Sequence, residues 1–255
     1  MSFYLSLRAE MLKTRRTAAF YLTGIVASLL PLLYLVDFAT DDSDARPYKA
    51  DPWQLFFLEG WKGINFVILT WFVILLCTLL AQIEHRNNTW KQVFASPVPA
   101  SQVFFSKFLG LQLLVVLFLV IYNTLMLASA TALHFLSKEL PFLDHHFDVR
   151  NWLLMNGKTY LAVLPISVIQ FWLSLRFKNF IVPMGIGLAL WLAGSLAVFE
   201  WHFESLHLFP YMYPLVVVVP DFKAQLPMVQ ASALVYTALF LFLALADFNG
   251  HKRKG

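Results

Sequence analysis

The stretch Glu84-His-Arg-Asn-Asn-Thr-Trp-Lys-Gln-Val-Phe-Ala-Ser-Pro-Val-Pro-Ala-Ser-Gln-Val-Phe-Phe-Ser-Lys107 lies between two long apolar runs, residues 64–83 and 108–132. A helix needs about 20 apolar residues to cross the hydrocarbon core of a bilayer, and both runs qualify. The polar stretch between them is therefore a loop at a membrane surface. Asn87 or Asn88 can cap a short helix, because an Asx side chain accepts a hydrogen bond from a free N–H of the first turn. That helix runs through Thr89, Trp90, Lys91, Gln92, Val93 and Phe94. Pro97 and Pro99 stop it, since proline lacks the donor and disfavours helix in the residue before it. Ser101 can cap the next long helix. The short helix shows Trp90, Val93 and Phe94 together. An apolar surface rimmed by polar residues marks a protein partner. An ordinary interfacial loop with Trp90 at headgroup level is the plainer alternative.

The composition supports a membrane setting. Of 255 residues, 59% are hydrophobic and only 13% charged, whereas a soluble domain carries about 25% charged residues. The single cysteine, Cys77, sits in an apolar run, which excludes an internal disulfide and a cysteine metal site. The net charge of +4 is dispersed along loops. Anionic lipid headgroups, not nucleic acid, are the partner that such a distribution fits.

Outward from the loop, six spans are expected, near 18–36, 61–83, 104–132, 157–175, 180–199 and 227–246, in a single domain covering 1–255. Residues 1–16 precede the first span. Phe3, Leu7 and Met11 recur every four residues there, while Arg8, Glu10 and Lys13 lie off the stripe. This is the pattern of an amphipathic helix lying in the membrane interface. Residues 53–61, interrupted by Glu59, read as a segment along the outer surface before the second span. Pro165 predicts a kink in the fourth span. Pro183, Gly185 and Gly187 in the fifth permit close helix approach or local unwinding. The run 215–219, between Pro214 and Pro220, is too short to cross and reads as a re-entrant or interfacial piece. With the amino terminus inside, the inner segments hold 12 of the 19 Lys and Arg but only Glu10, Glu84 and Asp247 of the acids. The positive-inside rule then places both termini and the central loop in the cytoplasm.

Catalytic chemistry is sparse. Gly157-Lys158-Thr159 resembles the end of a phosphate-binding loop, but the glycine needed five residues earlier is Trp152. No ATPase site follows. His145 and His146, with Asp144 and Asp148, read as a solvated loop more readily than as a metal site. The middles of the spans lack Asp, Glu, Lys and Arg, the costly residues that ion-driven transporters keep as relays. Their absence argues against proton coupling and suits a transporter whose energy comes from outside the membrane. Asn65, Gln82, Gln112, Asn123, Gln170 and Gln230 are expected to hydrogen-bond between helices.

Glu84 ending the second span, then Asn-Asn-Thr-Trp-Lys, then Ser-Pro-Val-Pro, then Ser106-Lys107 opening the third, resembles the permease subunits of ABC-2-type transporters. Among these it is most similar to small stand-alone permeases of the lantibiotic-immunity type. The resemblance implies an all-α polytopic membrane protein with six transmembrane helices, an N-terminal interfacial elbow helix at 1–16 and a short cytoplasmic coupling helix within 84–103. It implies a membrane-spanning subunit of an ATP-driven exporter in the inner (cytoplasmic) membrane of a bacterial cell. A separate ABC ATP-binding subunit would dock on Glu84, Thr89, Trp90, Lys91, Val93 and Phe94, with Asn88, Pro97 and Pro99 shaping the loop. Glu84 would orient the loop through Arg86 or Lys91, or pair with that partner. ATP and Mg would sit on the partner, leaving no cofactor in this chain. A second permease copy or a sister permease, and membrane lipid, complete the expected partners. A non-transport scaffold or sensor, binding a cytoplasmic partner through the same loop, is the alternative.

Overall fold

A computed structural model describes residues 3–40, 51–86, 98–136 and 140–254. The loop positions Asn88, Thr89, Trp90, Lys91, Val93, Phe94 and Pro97 lie outside the described residues. Among those described, all regular structure is helical. Six helices are long and apolar enough to cross a membrane. The chain is an all-α polytopic membrane protein.

Helix α1, Phe3–Thr14, is short and precedes the first crossing, α2, Ala18–Thr40. The two are joined by a tight turn in which Thr17 Oγ1 donates to the Thr14 carbonyl at 2.7 Å. Helix α3, Pro52–Gly63, begins on Pro52, with Asp51 capping through a 3.1 Å bond from Gln54 N. Proline suits this position because its missing N–H would find no partner there. A π-helical turn, Ile64–Ile68, joins α3 to α4, Leu69–Arg86. The second crossing is thus one continuous rod, Pro52–His85.

The expected surface segment 53–61 is instead the buried start of this rod. Trp53, Phe56, Phe57 and Trp61 are all buried. Trp53 and Phe56 bring their rings within 5.1 and 5.3 Å of Phe142. Glu59, which made the segment look superficial, turns away and pairs with Lys62 at 2.6 Å.

Helix α5, Ala100–Leu136, has 37 residues. At 1.5 Å per residue it is about 55 Å long and overshoots the ~30 Å hydrocarbon core. It starts two residues earlier than a Ser101 cap predicts, because the Pro99 carbonyl already accepts from Val103 N at 3.2 Å. Helix α6, Val149–Arg176, is capped by Asp148, which accepts from Asn151 N at 3.0 Å. Helix α7 is Ile181–Phe199, α8 is Tyr213–Val218, and α9 is Leu226–Lys254. All of α8 is buried, packed against α6 and α9. The run 215–219 is therefore a short plug inside the bundle. Elsewhere α2 lies along α5, α1 lies on α5, and α6 packs against α4 and α9.

Gln112 and Asn123 bond between crossings as expected, whereas Gln170 and Gln82 bond to segments that connect crossings. Gln112 Nε2 donates to Ser167 Oγ at 2.8 Å, and Asn123 and Asn156 form a reciprocal amide pair at 2.7 and 3.1 Å. Gln170 Nε2 donates to Tyr211 Oη at 2.8 Å, and Gln82 Nε2 to the Lys178 carbonyl at 3.2 Å. Asn65 differs. It bonds back to the Trp61 carbonyl of its own rod at 3.0 Å, where the π turn begins.

Candidate coupling site

The base of the 84–103 loop is built from three helices. Glu84 lies near the end of α4, Lys107 in the second turn of α5, and Glu10 and Lys13 on α1. Lys107 Nζ reaches Glu84 Oε1 at 2.6 Å and Glu10 Oε2 at 2.9 Å. Lys13 Nζ reaches Glu84 Oε1 at 3.0 Å and Glu10 Oε1 at 3.1 Å. Two carboxylates and two ammonium groups alternate in a closed ring. The Glu84 and Lys107 side chains are 3% and 9% exposed, while Lys13 is 43% exposed. The ring therefore has a dry side and a wet side.

Alternation is what makes the ring tolerable. A lone charge in this position would carry a desolvation penalty of several kcal/mol, which a close opposite charge offsets. Burial pushes the Lys13 ammonium down, but the charges of Glu10 and Glu84 and their hydrogen bonds push harder, and its pKa is raised above the ordinary value. Lys13 stays charged at neutral pH. A second link, Gln102 Nε2 to Ser6 Oγ at 2.8 Å, ties α1 to the first turn of α5. The same end of the bundle carries another clamp. Asp247 of α9 accepts from Arg176 at 2.8 Å and from the Trp172 indole at 3.0 Å.

Of the residues singled out in the sequence, Glu84 and Pro99 are described. Glu84 is buried in the ring, and Pro99 heads α5. Lys91 and the Arg86 side chain, the loop partners considered for Glu84, lie outside the described residues. Glu10, Lys13 and Lys107 were noted in the sequence but given no part in the coupling site. The i,i+3 spacing of Glu10 and Lys13 on the polar side of α1 was the available signal. Gly157-Lys158-Thr159 falls inside α6, so it forms no loop for a phosphate.

A short amino-terminal helix, six apolar helices long enough to cross a membrane and a charged ring at the root of the loop between the second and third form one arrangement. The family model of ABC-2 family transporter proteins matches residues 6–194, from α1 into α7. The chain belongs to the ABC-2 transporter family. It is a membrane-spanning permease, a transport component whose family works with an ABC ATP-binding partner. No curated protein matches the sequence. The permease keeps its ionic groups at the bundle ends. Within its crossings it uses amides, hydroxyls and indoles, which can bond across helices without a charge to desolvate.

Proposed function

We propose that this permease is the membrane half of an ATP-driven exporter, coupled through residues 84–103 to a separate ATP-binding subunit. Trp90, Val93 and Phe94 form the apolar anchor on that subunit, with Thr89 and Lys91 as its polar flank. Asn88 and Pro97 set the ends of the short helix, and Pro99 starts the next crossing. ATP and Mg²⁺ reside on the partner. The loop and both termini face the cytoplasm, a reading that the Lys and Arg distribution supports, and the membrane is the inner membrane of the cell. A second permease copy or a sister chain completes the path. Export as the direction rests on family likeness.

The observation that supports coupling is the ring. The loop leaves α4 two residues after Glu84 and enters α5 about two turns before Lys107, and the charged atoms of those two residues are 2.6 Å apart. A push on the short helix is then delivered to α4 and α5 as a pair rather than absorbed by loop bending. Glu10 and Lys13 carry the same displacement into α1.

The test is mild-detergent purification of the tagged permease from its host. The ATP-binding subunit is expected in stoichiometric amount with the native chain. Trp90→Ala should lose it while inserting normally, since truncating an anchoring aromatic costs about 2 kcal/mol or more of binding. Undiminished recovery with Trp90→Ala would overturn the coupling role.

A further inference from the structure

The end of the bundle opposite the charged ring holds a cavity of about 360 Å³ between α3 and the amino-terminal turn of α6. That volume lies within the ~300–1,000 Å³ range of small-molecule sites. Its walls combine aromatic and polar side chains. Trp53, Phe57 and Trp61 come from α3, Trp152 from α6, and Phe147 from the loop before α6. Phe147 is the hub, with ring centroids 5.0 Å from Trp53, 5.7 Å from Phe57 and 6.0 Å from Trp152.

Two carboxylates complete the lining, Asp51 and Asp148. Each caps the helix that follows it through one oxygen, at 3.1 and 3.0 Å. A helix amino terminus carries roughly half a positive charge. A full negative charge at each of the two termini therefore leaves this part of the wall net negative. Gln54, His146 and Asn151 complete the polar part of the lining, and the two amides can donate to an oxygen on a guest.

We propose that this cavity binds an organic ammonium group, best a quaternary ammonium with a neighbouring oxygen, as in choline. Aromatic faces attract such a cation through their ring quadrupoles, and its methyl shell leaves little hydration to lose. The carboxylates add a long-range attraction and reject anions. Among the described residues no group of three His, Cys, Asp or Glu side chains is placed to hold a metal ion. A neutral apolar guest would gain nothing from Asp51 and Asp148. The group can arrive on a free solute or on a phosphatidylcholine headgroup.

The experiment uses the full chain in phosphatidylglycerol nanodiscs, titrated with choline chloride against sodium chloride of equal ionic strength, with tryptophan fluorescence as the readout. A saturable change is expected with choline and not with sodium. The neutral isostere 3,3-dimethylbutanol should bind at least about tenfold more weakly, because it lacks the charge. Asp51→Asn with Asp148→Asn should weaken choline by roughly tenfold while keeping both caps, as asparagine caps as well as aspartate. Loss of the choline response in phosphatidylcholine discs assigns the group to lipid; an unchanged response assigns it to a solute. A non-saturating response, or equal binding of the neutral isostere, would overturn the proposal whatever the folding of the variants.

Discussion

Lys107 Nζ and Glu84 Oε1 lie 2.6 Å apart, joining the third crossing to the second at the root of the loop. Both side chains are nearly dry. Removing one member of such a pair costs about 3–5 kcal/mol, because the other charge stays behind. Glu84→Gln leaves Lys107 with Glu10, so its cost should fall at the lower end, about 3 kcal/mol. Replacing both, Glu84→Gln with Lys107→Met, still leaves the Glu10–Lys13 pair at 3.1 Å. That double variant should be less destabilised than the sum of its singles. Thermal unfolding in detergent, monitored by circular dichroism, measures this. Simple additivity would show that the two side chains do not act as a unit.

The π turn at Ile64–Ile68 supplies a second prediction. The Trp191 indole of α7 donates to the Phe66 carbonyl at 3.0 Å. Wide turns of this kind disturb the helical ladder and often sit at points of function. Trp191 thus fastens α7 to the irregular point of the rod that carries Glu84. Trp191→Phe keeps the aromatic contact with Phe66 but loses the bond, a change of about 0.5–1.5 kcal/mol. Amide hydrogen exchange at residues 64–70 should speed up, with the remainder of α4 unchanged. Unaltered exchange there would mean that the indole bond does not restrain the turn.

The crossings were legible because length and apolarity are local properties, readable along the chain. The charged ring was not, since Glu10 and Lys13 lie far in sequence from Glu84 and Lys107. Residues 53–61 misled for a local reason. Glu59 breaks the apolar run, but the i,i+3 partner Lys62 absorbs its charge at the surface while the opposite face stays aromatic. The π turn leaves no mark on hydropathy. Asn65 was marked as a polar residue within a span, yet its bond within the rod depends on backbone geometry that composition does not encode.

Gly187 on α7 faces Gln170 of α6. A Cβ at Gly187 would come within 2.0 Å of Gln170 Nε2, the atom that donates to Tyr211 Oη. Gly185, two residues earlier, faces open space, so close approach is confined to one glycine of the pair. Gly187→Ala should displace the amide, break the Tyr211 bond and destabilise by about 1–3 kcal/mol. Gly185→Ala should be nearly neutral. Adding Gln170→Ala to Gly187→Ala makes room for the new methyl, so the pair should be milder than additive. Equal melting temperatures for Gly185→Ala and Gly187→Ala would contradict this packing.

The pH response of the ring follows from Lys13. Its folded pKa is raised above the ordinary 10.5, with burial working downward and Glu10 and Glu84 more than compensating. A raised folded value means that the folded state holds the proton more tightly than the unfolded one. The stabilisation is then fully present below 10.5 and is lost as pH rises through the folded value. Neutral and mildly alkaline conditions should leave the attachment of α1 unchanged. Because Lys13 is 43% exposed, solvent screening keeps the effect modest. Lys13→Met keeps the aliphatic stem but not the titrating group. Its melting temperature should lie below that of the native chain at neutral pH. The gap should narrow as pH is taken above 10.5 and through the raised folded value. A gap that stays constant across that range would assign the contribution of Lys13 to packing of its stem rather than to its charge.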